Sequence, residues 1–209
     1  MIPSDPAVAA PKKRMTANEF WEFVHRPENE TRSFELRKGE VIELSPPTVP
    51  HCRVCCRIGV LIEKYAEGVS RGYVLTNDPG VLLEEDPDTV VGPDVSYFTD
   101  VNTFEELTPK WAETPPVLVV EVRSPNDRPN TLIAKARDYL NGGVKLVWLV
   151  DYEERSVSVF RPDRTPEVIS EQQELTGGDE LPGFSVRVAE FFRMPGDPRS
   201  TPQPLPPTA

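Results

Sequence analysis

The chain of 209 residues is short of cysteine, histidine, aromatic rings, positive charge and long apolar runs. Its longest apolar stretches, Val117 to Val120 and Leu146 to Val150, are strand-length, whereas a bilayer-spanning helix needs roughly 20 apolar residues. A membrane protein is therefore excluded. The three cysteines all fall between Cys52 and Cys56 and cannot build a disulfide framework, which predicts a reducing, cytoplasmic setting. Lys and Arg number 23 against 34 Asp and Glu, a net charge of −11, so a polyanionic partner has to be met by a local patch rather than by a basic surface. Aromatic residues make up 8% and are not interleaved with basic ones, so no platform for stacking bases is visible; Trp148, Tyr139, Phe98 and Trp111 read as packing residues.

Proline is plentiful, with 24 residues, six of them in the last fifteen positions. That composition predicts an unstructured tail over 194–209. The leader 1–14 places its basic residues after its weakly apolar part, the reverse of a secretory signal, and is also expected to be unstructured. One folded domain is expected over 15–193, without internal repeats.

Within it, Thr16 and Glu19 form a capping-box pattern ahead of a helix over 17–25, with Pro27 beyond its end. SFELRKGEVIEL alternates on both sides of Lys38-Gly39 as a hairpin does, and Pro46, Pro47 and Pro50 are expected to break the sheet. Val54, Ile58, Leu61, Ile62 and Tyr65 recur at helical spacing over 51–67, with Gly68 as the terminator. Strands are expected over 73–77, 80–84 and 95–98. PVLVVEVRS, the most β-branched stretch, reads as a central strand. A helix over 131–141 with Leu132, Ala136, Tyr139 and Leu140 inward separates it from a buried strand over 144–150, and a hairpin partner follows over 157–160. The strand, helix, strand order predicts a right-handed crossover and a parallel pair.

Glu121 is out of place in that apolar strand, because a central strand excludes charge unless it is paired or holds a metal. Alternation sets Glu121 and Arg123 on one face, which leaves a local Glu121–Arg123 pair open as a purely structural reading. Asp94 follows Gly92-Pro93 at the start of a strand, where it is either a turn residue or a ligand. If the two strands are neighbours, Asp94 and Glu121 converge into a carboxylate pair of the kind Mg²⁺ or Mn²⁺ requires. Lys135 lies just outside the buried arc of its helix on the Tyr139 side, so it either extends along the apolar surface to the sheet rim or is an ordinary solvated lysine. In HCRVCC, His51, Cys52, Cys55 and Cys56 offer four soft ligands, but a rotation of 100° per residue keeps them from facing one ion, and Cys55 and Cys56 read as small core residues.

The ordered motifs FELRKGE, PPTVPH, GPDVSYF, VLVVEVRSP, KARDYL, GVKLVWLVD and ELPGFSVRVAEFF resemble those of the Uma2 family, which is placed in the PD-(D/E)xK, restriction-endonuclease-like superfamily. The resemblance spans roughly 15–193. It implies an α/β (α+β) fold with a central mixed sheet flanked by helices, and a Mg²⁺- or Mn²⁺-dependent nuclease acting on nucleic acid, with DNA and a homodimer as expectations. It assigns Asp94 and Glu121 as metal ligands, Lys135 as the lysine moved from strand to helix, Glu35 as an early acidic residue at the same rim, and His51 as a histidine within reach of the site. Arg123 stands where the wider superfamily keeps Lys, and Thr131 stands where the family usually has Asp. The alternatives on the same fold are a catalytically weak nucleic-acid-binding or regulatory module and a protein-interaction domain.

Overall fold

In the computed structural model, which describes residues 14–124 and 127–197, the first element forms as its capping pattern requires. Thr16 Oγ1 accepts the Glu19 N–H at 3.2 Å and the Glu19 carboxylate accepts the Thr16 N–H at 2.9 Å, so α1 (Ala17–Val24) begins with two otherwise orphaned amides satisfied. Strands β1 (Ser33–Arg37) and β2 (Glu40–Leu44) pair through Lys38 and Gly39, both at positive φ, as a two-residue hairpin turn demands. Residues 1–13 of the expected leader and 198–209 of the expected tail lie outside the described residues.

Helix α2 (Val49–Val69) is longer at both ends than its periodicity suggests. Thr48 Oγ1 accepts the His51 N–H at 3.4 Å, and Pro50 sits in the first turn, where a missing N–H costs nothing. Pro50 therefore helps start a helix rather than break a sheet. At the other end Ser70 takes the left-handed capping conformation at φ 50°, and Gly68 stays helical.

The chain continues through β3 (Tyr73–Thr76), β4 (Val81–Glu84), β5 (Thr89–Val91), β6 (Val95–Phe98), β7 (Leu118–Val122), α3 (Pro129–Asn141), β8 (Leu146–Asp151), β9 (Ser156–Phe160), β10 (Glu167–Ser170), β11 (Glu174–Thr176) and β12 (Ser185–Arg187). Six strands form one mixed sheet in the order β10-β9-β8-β7-β6-β3, parallel only between β7 and β8, which are joined by α3 as the crossover order predicts. Four form a smaller antiparallel sheet, β2-β1-β5-β4, and β11 pairs with β12. β5 was not expected: its three residues lie among Asp, Pro and Gly, and pairing with β1 and β4 overrides that local turn chemistry.

The period of two along β7 divides the core. Leu118, Val120 and Val122 pack toward α2 with Ile58, Ile62 and Trp148, whereas Val119 packs toward α3 with Ala136 and Tyr139. A third cluster, centred on Phe20, Leu36 and Val90, ties α1 to the smaller sheet. Glu121 thus lies on the α3 side of the large sheet, one strand from β6 and beside the smaller sheet. Among the described residues, no helix is long and apolar enough to cross a membrane.

Candidate active site

β6 and β7 are antiparallel neighbours with Val95 opposite Val120, so one step outward Asp94 stands opposite Glu121. Asp94 closes the end of this strand pair: its Oδ2 accepts the Val122 N–H at 2.6 Å and faces His51 Nε2 at 3.2 Å. Glu121 is 6% exposed. Its Oε2 accepts a hydrogen bond from Lys135 Nζ at 2.7 Å and its Oε1 one from the Tyr139 hydroxyl at 2.5 Å. Lys135 is therefore not a solvated lysine; the helix phase delivers it inward, and its Nζ also lies 3.3 Å from Glu35 Oε1. Glu35, buried in β1, accepts two bonds from the Arg37 guanidinium at 2.9 and 2.7 Å and one from the Gly92 N–H at 3.2 Å. All five residues singled out from the sequence, Glu35, His51, Asp94, Glu121 and Lys135, line one cleft of about 780 Å³.

The electrostatics are those of crowded acids around one buried cation. Burial, reinforced by Asp94 and Glu35, pushes the Glu121 carboxyl up to about 7 against the opposing pull of Lys135. The Lys135 ammonium loses hydration on burial, but Glu121 and Glu35 more than offset that and hold it above its ordinary range. For Glu35 burial works upward, yet Lys135, Arg37 and the Gly92 amide together hold its carboxyl below the usual value. His51 is raised, its burial outweighed by the hydrogen bond and charge of Asp94.

Asp78 was missed. It lines the same cleft, its side chain exposed at the rim, and partial desolvation together with the charge of Asp94 raises its carboxyl. Asn77-Asp78-Pro79-Gly80 reads as a turn and is one, but Asn77 and Asp78 are both left-handed, at φ 71° and 55°. Consecutive non-glycine residues in that region are costly and concentrate at functional sites. Gly92 makes room for this loop, since a Cβ there would lie 2.8 Å from the Asp78 Cβ. Tyr139 was read as packing only; its ring is buried, but its hydroxyl belongs to the site. Arg37, the partner of Glu35, carried no sequence signal beyond its alternation.

Other expectations are corrected. Arg123 Nη1 pairs with Asp151 at 2.5 Å, so the Glu121–Arg123 pair does not form. Of the cysteines, Cys52 and Cys56 are exposed, because the helical rotation turns them outward, and only Cys55 is half-buried. The four ligands of HCRVCC do not converge, as the rotation predicts, but His51 and Cys55, four residues apart, do. Cys55 Sγ lies 3.5 Å from His51 Nδ1, and burial and the nearby Asp94 push its thiol upward. Nor do the arginines near the site form a free basic face. Arg57 pairs with Glu190 at 3.1 Å and Arg53 donates to the Arg193 carbonyl at 2.7 Å, while Arg128 and Arg137 are exposed on α3 and its cap.

A profile of the Uma2 family, described as "Putative restriction endonuclease", matches residues 20–189. A crystal structure described as that of "a putative nuclease belonging to DUF820" from Anabaena variabilis superposes with a TM-score of 0.72 at 19% identity, over 85% of this chain and 97% of that one. At that identity the likeness establishes a common fold. No curated protein matches the chain.

Proposed function

From the membership of this chain in the Uma2 family, to which four-fifths of its length is matched, we propose that it is a metal-dependent endonuclease hydrolysing phosphodiester bonds of nucleic acid, DNA first. The observation that carries this reading is the pairing of Lys135 Nζ with Glu121 Oε2 at 2.7 Å beside Asp94.

The donor set fits a hard divalent cation. Asp94 and Glu121 supply carboxylate oxygens on adjacent strands, and Asp78 adds a third acid on the same cleft. The carboxyls of Glu121 and Asp78 are raised by burial first and then by the neighbouring negative charge, which a cation would neutralise. Bound Mg²⁺ or Mn²⁺ supplies Lewis acidity and an acidified water. The residues of the chain do the rest. Asp94 is fixed by the Val122 amide and His51, and Glu121 by Tyr139, so the two carboxylates are held before a ligand arrives. Lys135, charged at neutral pH, orients the attacking water and stabilises charge developing on the phosphate oxygens rather than serving as a base. Glu35, clamped by Arg37, shares the Lys135 ammonium with Glu121 and keeps it placed at the site. Arg123 is held by Asp151 and takes no part.

A second reading, a binding module with little turnover, is favoured by one observation: both Glu121 oxygens are already engaged by Lys135 and Tyr139. Cleavage of supercoiled plasmid and labelled single strands, with Mg²⁺ or Mn²⁺ and with EDTA, separates the two. Cutting is expected to need the metal and to fall by about 100-fold or more in Glu121→Gln and in Lys135→Ala. Cutting that persists in Glu121→Gln would remove the assignment, and absence of cutting by the folded wild-type chain selects the binding module.

A further inference from the structure

We propose that His51, Cys55 and Asp94 form a binding site for one thiophilic divalent cation of the Zn²⁺ or Co²⁺ class, chemically distinct from the all-oxygen pair of Asp94 and Glu121 and overlapping it at Asp94. A ring nitrogen of His51, Sγ of Cys55 and a carboxylate oxygen of Asp94 all lie within 4.8 Å of one another. Two of the three stand on the same face of the first turns of α2, four residues apart, and the third comes from the end of the β6–β7 pair. The separation of 3.5 Å between Cys55 Sγ and His51 Nδ1 is already the ligand-to-ligand distance of a tetrahedral ion. Bond lengths of about 2.3 Å to sulfur and about 2.0 Å to nitrogen give about 3.5 Å.

His51 now bridges its neighbours, with Nδ1 toward Cys55 and Nε2 toward Asp94 at 3.2 Å. An ion takes a single ring nitrogen, so binding exchanges one of these hydrogen bonds for coordination. Three protein ligands leave a fourth position open to the cleft and its water. The same three groups also resemble a thiol–imidazole–carboxylate relay. Geometry decides between the two: one donor atom from each of the three residues lies within 4.8 Å of the others, so a single ion can touch all three, and the acids Asp78 and Glu121 line the same cleft. Soft sulfur and imidazole prefer Zn²⁺ and Co²⁺ to Mg²⁺, so an ion held here takes Asp94 away from the oxygen pair.

The test is a Co²⁺ titration of the reduced, chelator-stripped full chain, followed by the near-ultraviolet thiolate-to-cobalt charge-transfer band. The expected result is a saturable band that Zn²⁺ abolishes and excess Mg²⁺ does not. It is lost in Cys55→Ser, weakened in Asp94→Asn, and kept in the Cys52→Ser/Cys56→Ser double variant, with folding of each checked by circular dichroism. A band that survives Cys55→Ser, a band that vanishes in the double variant, or no band in the folded wild type would each overturn the proposal. Cobalt binding without any cleavage leaves this site standing and removes the nuclease reading; metal-dependent cleavage without the band does the reverse.

Discussion

Tyr139 spends a buried aromatic ring and a hydroxyl on one carboxylate oxygen, and that makes it the residue whose role is easiest to isolate. Tyr139→Phe keeps the ring among Val119, Ala136 and Val147 but leaves Glu121 Oε1 without its donor. A buried acceptor stripped of its partner costs about 1–3 kcal/mol, and urea unfolding of the variant should show a loss in that range. An unchanged midpoint would mean that water replaces the hydroxyl. Glu121 and Lys135 were legible in the sequence because each violates its surroundings: a charge in a β-branched run, and a cation at the border of an apolar helical arc. Asp78 and Tyr139 obey theirs, as a turn acid and a core aromatic, so no local pattern sets them apart. The His51–Cys55 contact was hidden differently. The helical rotation that correctly rejects four ligands in HCRVCC also aligns its first and fifth residues, and only the position of Asp94 gives that alignment meaning.

At the scale of elements, the strands and helices that carry the site were readable because burial on two faces leaves a plain signal: β7 and β8 as apolar runs, α2 and α3 as amphipathic ones. Ends and edges were not. The C-terminus of α2 shows why, since Gly68 resembles a terminator but the stop is made by Ser70 and by the return of the chain through Gly72. The two glycines should therefore respond in opposite directions. At Gly68, which is helical and has nothing within 4 Å of an added Cβ, alanine lowers the entropy of the unfolded chain and should stabilise by about 0.5–1 kcal/mol. At Gly72, with φ at +80°, an added Cβ would lie 2.4 Å from the Phe98 carbonyl, so alanine should destabilise by more than about 1 kcal/mol and lower amide protection along β3 and β6 first. Thermal melts and hydrogen exchange on the pair decide it; equal effects would place the helix end elsewhere.

For the whole molecule, with a net charge of −11, the acids of the cleft, desolvated and close to one another, hold a proton until a cation intervenes, and Lys135 only partly offsets this. The direction of the pH dependence follows from the groups involved. Glu121, raised from 4.5 to about 7, binds a proton more tightly folded than unfolded, so its contribution to stability is present below about 4.5 and is lost as pH rises through about 7. His51 and Asp78 are raised as well and act with the same sign, His51 above 6.5 and Asp78 above 3.8. Glu35 is lowered, and its contribution disappears only as pH falls below its ordinary value of 4.5. In EDTA the melting temperature should therefore fall between about pH 5 and about pH 8, by on the order of 5 °C. Glu121→Gln, which has no proton to lose, should flatten much of that slope. Mg²⁺ or Mn²⁺ competes with the proton on Glu121, so added metal should raise the melting temperature more at pH 8 than at pH 6. A metal-free profile that is flat across this window, or one that rises, would show that neither burial nor the neighbouring acids raise Glu121 in the folded protein. The carboxylate site would then lose the electrostatic argument for holding a cation at all.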